Sequence, residues 1–250
     1  MKKIWEYIVH DMPGELIVSL FIMLIIAIVA IILGAKIKKA DPTKPPKGAA
    51  FIADFLVDSS MKQINSILGT AYEKFTPYYI FLILYIPLAF ISGLFALPSP
   101  IMYFSIPLTL AIVSFLAIQI SSIYYNRWGY LKGFSDPLPP WLPIMAPINL
   151  LGKISPILSL SIRMFGNAVA GYMLMTLVYW ATGSLSGLLV TKLLHLNYAG
   201  INFIGVFITP FLHAYLDVFS AFVQTLIFIT LTMLLISVEI PAPVAKKEKK

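Results

Sequence analysis

LIVSLFIMLIIAIVAIILGA, residues 16–35, contains Ser19 as its only clearly polar side chain. A run of roughly 20 apolar residues is long enough for an α-helix to cross the hydrocarbon core of a bilayer. A cleaved signal peptide would have a shorter apolar core closer to the start of the chain. Because this run is longer and follows the acidic residues Glu6, Asp11 and Glu15, we expect a first membrane-spanning helix.

The composition of the whole chain indicates the same class of protein. Hydrophobic residues make up 59% of the 250 residues and charged residues 12%, whereas soluble domains are about 45–50% apolar. The absence of cysteine excludes disulfide bonds and thiolate metal sites. Four further apolar runs lie at residues 78–97, 101–125, 154–181 and 201–240. The expected fold is therefore an all-α integral membrane protein with five membrane helices.

The basic residues indicate how these helices are oriented. The net charge of +7 lies mostly in short segments beside apolar runs, which favours topology signals over nucleic-acid binding. Because lysine and arginine prefer cytoplasmic loops, we expect the N-terminus outside and a basic cytoplasmic tail at residues 241–250. Those on the predicted cytoplasmic side are Lys36, Lys38, Lys39, Lys44, Lys47, Arg127, Lys132, Lys153, Lys246, Lys247, Lys249 and Lys250, and those opposite are Lys2, Lys3 and Lys192.

Residues 48–74 do not have the composition of a spanning helix. They follow a linker rich in proline and lysine at residues 41–47, and their apolar residues recur at helical spacing with Asp54, Asp58 and Lys62 between them. This pattern predicts an amphipathic helix lying on the membrane surface. An ordinary soluble helical loop is the alternative.

The last apolar run is too long for one upright helix. About 40 residues would extend roughly 60 Å as an α-helix, twice the thickness of the hydrocarbon core. Either the helix is steeply tilted or Pro210 kinks or splits it. The preceding run begins after a proline-rich stretch, and we expect both of the last two helices to be long and tilted. The predicted parts are residues 1–47, 48–74, a membrane hairpin at 75–135, the two long helices at 136–240, and the tail at 241–250.

Two charged residues lie deep inside these last two runs. Arg163 is surrounded by apolar residues, and an arginine at mid-membrane is unfavourable by about 2.5–3.5 kcal/mol, so it marks a functional site. Around Asp217, the residues His213, Ser220 and Gln224 fall at offsets that place all four on one face of a helix. Such a stripe is typical of a water-filled path, although a hydrogen-bond cluster between helices would have the same composition.

The helix that carries Arg163 has a sparser polar stripe. Asn167 lies one turn after Arg163 and Ser159 one turn before it, and packing explains Asn167 as well as function does. Tyr172 follows Arg163 by nine positions, about half a revolution, so its side chain faces another direction.

The sequence around Arg163 resembles a known family. PILSLSIRMFGN at residues 156–167, followed by Ala170 and Gly171, closely resembles the signature around the essential arginine of subunit a of F-type ATP synthases. Gln224 with the following TLIFITLT resembles the final-helix motif of that family. The resemblance is strongest over residues 136–180 and 205–237.

The resemblance implies a stator subunit with no bond chemistry and no cofactor of its own. Its implied partners are a ring of c subunits, the b subunits of the peripheral stalk, the soluble ATPase sector and the lipid bilayer, with no nucleic acid. Two offset half-channels would pass protons, or Na⁺, to the ring carboxylates, and Arg163 would couple this transfer to rotation and prevent leak. The implied setting is a bacterial plasma membrane.

The resemblance also assigns the ion path. Gln224 lines the path or holds Arg163, and the family often has Glu or His at the position of Tyr172 and His or Glu at that of Asp217. The participation of Tyr172 is therefore left open. The predicted ion-path residues are Asp217, His213, Gln224, Ser220, Asn167 and Tyr172.

Two other protein classes fit the sequence less well. A secondary transporter or ion channel with a buried Arg/Asp site would explain the charges, but a transporter would predict internal repeats, and the sequence has none. A membrane enzyme would need a motif such as HExxH or GxSxG, which is absent. His10, His195 and His213 are too scattered in the sequence to suggest a metal site.

Overall fold

A computed structural model describes residues 12–39, 48–95, 97–126, 146–193, 200 and 202–238. Within these ranges the chain is helical and contains no strand, so the protein is an all-α integral membrane protein. The linker at 41–47, the prolines at positions 137, 139, 140 and 143, the tail at 241–250, His10 and His195 lie outside the described residues. The helices are α1 (Gly14–Lys39), α2 (Ala49–Ile67), α3 (Thr76–Ile91), α4 (Ser105–Asn126), α5 (Ala146–Leu188) and α6 (Phe203–Val238).

Five of these helices are long and apolar enough to cross a membrane, and α2 is the exception. The helix α2 ends at Ile67, and Gly69 follows with a φ of 86°. This left-handed conformation is readily adopted by glycine and stops the helix. A short 3₁₀ segment, Thr70–Phe75, then leads into α3. The predicted amphipathic segment is therefore shorter as an α-helix than its apolar pattern indicated.

Polar and charged side chains on α2 are consistent with a helix at an aqueous boundary. Lys62 and Asp58 form an exposed ion pair of 2.6 Å, and hydrogen bonding to Asp58 raises the pKa of Lys62. Exposed pairs contribute little to stability. The aromatic residues Phe51 and Phe55 are exposed and stacked on each other, with centroids 6.3 Å apart.

The helix α3 contacts several other helices. It packs against α1, α2 and the second half of α6. Buried polar groups within a membrane need partners inside the protein, and three tyrosines of α3 each hydrogen bond to a different helix. The pairs are Tyr85 with Ser19 of α1 at 2.7 Å, Tyr79 with Gln63 of α2, and Tyr78 with Ser114 of α4 at 2.7 Å.

The two last membrane helices are the longest of the five. The candidate spans Leu151–Lys192 and Phe203–Val238 contain 42 and 36 residues, or roughly 63 and 54 Å at the rise of an α-helix. Pro210 does not split α6. The irregularity lies just beyond it, where α-helical Phe203–His213 passes through a π-helical turn, Ala214–Phe219, into α-helical Ser220–Val238.

The helix α5 is the least covered membrane span. Only 17% of its apolar stretch is buried, against 44% for α6. It packs against α4 and the first half of α6. Its outer face exposes large apolar side chains, namely Leu158, Ile162, Met173, Leu177 and Trp180.

Candidate functional site

A series of hydrogen-bonded polar side chains connects α5 to α6. The hydroxyl oxygen of Tyr179 lies 2.7 Å from Nε2 of His213, and the centroids of the two rings are 5.9 Å apart. One turn further along α6, Oδ2 of Asp217 contacts Nδ1 of the same histidine. His213 and Asp217 are 28% and 25% exposed, so solvent reaches both of them. Tyr179, His213 and Asp217 are called the outer triad below.

The outer triad borders a cavity of about 650 Å³. The cavity lies between α5, α6, the end of α3 and the connection from α3 to α4. Its polar wall is formed by Ser99, Asn167, Tyr172, Thr176, Tyr179, His213 and Asp217. The space is large enough for many water molecules, which would contact the ionisable side chains of the wall.

A second polar contact links the long helices deeper in the protein. Nδ2 of Asn167 donates to Oε1 of Gln224 over 3.0 Å. Gln224 is 1% exposed, and its Nε2 atom has no hydrogen-bond partner among the described residues. The contact lies at the inner end of the cavity, because Asn167 lines the cavity and Gln224 does not.

Arg163 lies one turn before Asn167 and borders a different space. Its guanidinium approaches Ser159 at 3.5 Å, one turn back on α5. With Leu226, Thr230 and neighbouring apolar residues of α6 it lines an open cavity of about 360 Å³. The spacing from Asp217 to this part of α6 corresponds to roughly 15 Å along the helix. The two spaces are therefore offset along the α5–α6 pair.

The start of α6 is fixed to α5 by Asn202. Oδ1 of Asn202 accepts from the backbone N–H of Gly205 at 2.8 Å and from the hydroxyl of Ser186 at 3.2 Å. Nδ2 donates to Oγ1 of Thr182 at 2.8 Å and to the backbone oxygen of Tyr179 at 3.2 Å. Asn202 is thus both the N-cap of α6 and a bridge to α5 beside the outer triad. We call these contacts the Asn202 clamp.

Comparison with known proteins identifies the family. The family model described as ATP synthase A chain matches residues 16–237. The chain belongs to the ATP synthase A chain family. Membership implies assembly with an ATP synthase complex.

Individual relatives have low identity over most of the chain. ATP synthase subunit a of Mycoplasma pneumoniae is 28% identical over 232 residues, which cover 88% of this chain and 77% of the relative. The subunit a of Mycoplasma genitalium is 28% identical over 229 residues, with 88% and 77% covered. A sodium ion specific subunit a from Propionigenium modestum is 35% identical over 109 residues, which cover 44% of this chain and 29% of the relative.

The structure of this family member separates the four residues that the sequence placed on one face of the last helix. His213 and Asp217 line the cavity, whereas Gln224 is buried against Asn167 and Ser220 is not part of the cavity wall. A π turn contains one residue more than an α turn. The residues after it are therefore rotated about the helix axis by about 100° relative to an uninterrupted α-helix. The prediction of a single face assumed unbroken α-helical spacing, and the π turn Ala214–Phe219 interrupts that spacing between the two halves.

The other predicted residues occupy two separate places. Tyr172 lies on the cavity wall with Asn167 and Asp217, and its hydroxyl has no hydrogen bond within the described part of the chain. Gln224 accepts its hydrogen bond from Asn167, and the hydrogen bond of Arg163 goes to Ser159. No group of three His, Asp or Glu residues that could hold a metal ion occurs in the described segments.

Sequence reasoning missed Tyr179 and Asn202. Tyr179 lies two turns after Tyr172 on nearly the same face of α5, so helical spacing from Tyr172 could have indicated it. Asn202 precedes the last apolar run and has the residue type of an N-cap, with Gly205 at the N3 position. The contacts of Asn202 with α5 depend on tertiary packing and had no local signal.

Proposed function

We propose that this chain is the stator subunit of a rotary ATP synthase and carries protons, or Na⁺, between two offset aqueous half-channels and the carboxylates of a rotating c-subunit ring. The observation that supports this most is the placement of Arg163. It lies in an apolar span and borders a space offset from the cavity of Asp217. Two offset spaces, one of them bordered by a fixed cation, are compatible with a two-channel mechanism.

In this mechanism the cavity at the outer triad is the half-channel from the outer side of the membrane. The start of α1 lies at the same end of the protein as this cavity. A Cβ atom placed on Gly14 would lie 3.2 Å from Pro98, which is next to the cavity residue Ser99. That end also includes the start of α6, whereas Lys36 and Lys38 lie at the opposite end of α1. Because cytoplasmic loops are rich in lysine, the cavity opens to the outside and the C-terminus is cytoplasmic.

Arg163 couples ion transfer to rotation by its charge. A fixed guanidinium near a ring carboxylate favours the ionised carboxylate, so the ion leaves as that subunit passes. The same charge repels a cation that would pass directly between the half-channels. Lysine is a poorer residue for this role because burial readily lowers its pKa, whereas arginine stays charged.

The uncovered face of α5 is the surface that meets the ring. It combines exposed apolar residues such as Ile162 and Leu177 with the small residues Gly166 and Ala170, which permit close approach of another helix. The remaining proposed partners are the peripheral-stalk b subunits and the soluble ATPase sector. The proposed location is the plasma membrane of a bacterium, and this chain itself makes and breaks no covalent bonds.

The test is ATP-driven ion pumping and passive ion leak in membranes containing the assembled complex. Arg163→Ala should abolish pumping without loss of assembly and should increase leak. Lys192→Ala, which removes an exposed basic residue near the end of the same helix, is the matched control and should pump normally. Normal coupled pumping by Arg163→Ala would contradict the mechanism.

A further inference from the structure

The outer triad is closed by a tyrosine that neither the sequence motifs nor the family resemblance indicated. Tyr179 reaches across from α5 and contacts the ring nitrogen of His213 that points away from Asp217. Each ring nitrogen of His213 thus has one partner. Tyr179 and Asp217, the two partners of His213, border the same cavity.

The donors and acceptors of the three groups are coupled. An ionised carboxylate only accepts hydrogen bonds, and a neutral histidine has one donor and one acceptor nitrogen. With Asp217 ionised, Nδ1–H of His213 donates to the carboxylate and Nε2 accepts from the hydroxyl of Tyr179. With Asp217 protonated, its O–H donates to Nδ1 and Nε2–H donates to the tyrosine oxygen. A hydroxyl can serve in both states because it both donates and accepts.

We propose that Tyr179 is a positioning residue for proton exchange at Asp217. Its hydroxyl holds His213 with Nδ1 toward the carboxylate in both protonation states of Asp217. When Asp217 takes up a proton, Nδ1 of His213 gives its proton to the carboxylate, and the Tyr179 hydroxyl gives its proton to Nε2. Cavity water returns one proton to the tyrosine oxygen, so histidine stays neutral and water loses the one proton that Asp217 gains. This inference rests on the proposed outer half-channel.

The position of Tyr179 is itself fixed. The backbone oxygen of Tyr179 accepts from Nδ2 of Asn202, so the Asn202 clamp holds this turn of α5 against the start of α6. Tyr172 cannot take over this role, because its hydroxyl has no hydrogen bond among the described residues. The cavity wall from α3 and its connection to α4 adds no charged group, since it consists of Phe90, Gly93, Leu94, Ser99 and Met102.

The first test is ATP-driven pumping by the assembled complex with Tyr179→Phe. Loss of one hydrogen bond in a membrane protein should lower the rate by roughly three- to twentyfold. In a His213→Asn background the same substitution should have no further effect, because the group on which Tyr179 acts is absent. Tyr85→Phe removes a tyrosine hydroxyl that has the same hydrogen-bond length of 2.7 Å and does not line the cavity, and this variant should pump at the normal rate.

A second pair of variants separates hydrogen bonding from packing. Tyr179→Gln retains a donor and an acceptor, whereas Tyr179→Leu is of similar size and has neither. We expect the glutamine variant to pump at least about threefold faster than the leucine variant, because only glutamine can hydrogen bond to His213. If Tyr179 acted by packing alone, the two variants would pump at the same rate. Equal rates for this pair, or an equal fractional loss from Tyr179→Phe with and without His213, would overturn the inference.

These outcomes differ from a failure of the proposed function. If the outer half-channel is wrongly placed, His213→Asn will pump normally, and if the gate is wrong, so will Arg163→Ala. If those variants are impaired and Tyr179→Phe pumps normally, only the role of Tyr179 is refuted.

Discussion

Replacement of Asn202 by alanine should destabilise the protein more than replacement of any other asparagine or glutamine whose side-chain contacts the structure describes. The side chain accepts two hydrogen bonds and donates two, and it connects Gly205 of α6 with three residues of α5. The first turn of α6 depends on it further, because the backbone N–H of Ile204 donates to the same Ser186 hydroxyl at 3.2 Å. Orphan N–H groups at a helix start are costly where water is scarce.

The magnitude follows from these contacts. Loss of an N-cap costs about 1 kcal/mol, and each hydrogen bond between membrane helices contributes about 0.6 kcal/mol. One cap and three such bonds give roughly 3 kcal/mol. For a chain of this size this corresponds to a decrease of about 6–12 °C in the melting temperature.

The assay is thermal unfolding of the purified chain in mild detergent, followed by far-ultraviolet circular dichroism. Asn65→Ala is the matched control, because its amide makes one exposed hydrogen bond to Glu73 at 3.2 Å, and it should lower the melting temperature by about 4 °C at most. Ser186→Ala removes two of the contacts and should fall between them. A melting temperature of Asn202→Ala equal to that of the control would refute the clamp.

Two further substitutions test the contacts between the long helices by the same assay. Asn167→Ala leaves the buried oxygen of Gln224 unpaired and should destabilise the protein by about 1–3 kcal/mol. Addition of Gln224→Leu should recover part of that loss, because no buried polar group then remains at the contact. A double variant less stable than Asn167→Ala alone would contradict this expectation. Gly205→Ala places a methyl group 2.5 Å from the amide nitrogen of Asn202. This overpacking should destabilise the protein by about 1–3 kcal/mol. A melting temperature equal to that of the unmodified chain would contradict the expectation.

Hydropathy alone predicted the membrane helices, because the cost of exposing charge to lipid leaves long apolar runs in the sequence. The proposed roles of Arg163 and Asp217 rest on the same cost of charge in an apolar run. The π turn Ala214–Phe219 could not be predicted, since no residue in AYLDVF requires it. It interrupts the α-helical spacing from which the sequence placed Gln224 on the face of Asp217.

The partners of the predicted polar residues were harder to infer than the residues themselves. His213 and Asp217 are separated by one turn, so their contact follows from helical spacing. Tyr179 lies 34 positions before His213, and its contact depends on how α5 crosses α6. Periodicity gives the face of each helix, but the register between two helices is set by packing and by contacts such as the Asn202 clamp.

The exposure of α5 links the fold to the proposed mechanism. A helix with 17% of its apolar stretch buried could be stable against lipid if its outer face were uniformly apolar. Arg163 makes that arrangement unfavourable, because within the described residues the guanidinium has only a 3.5 Å contact with Ser159, and it borders an open space. A permanent charge at this depth requires water or an anionic group from outside the chain. In the proposed mechanism, a passing carboxylate of a c-subunit ring would supply that anionic group at the uncovered face.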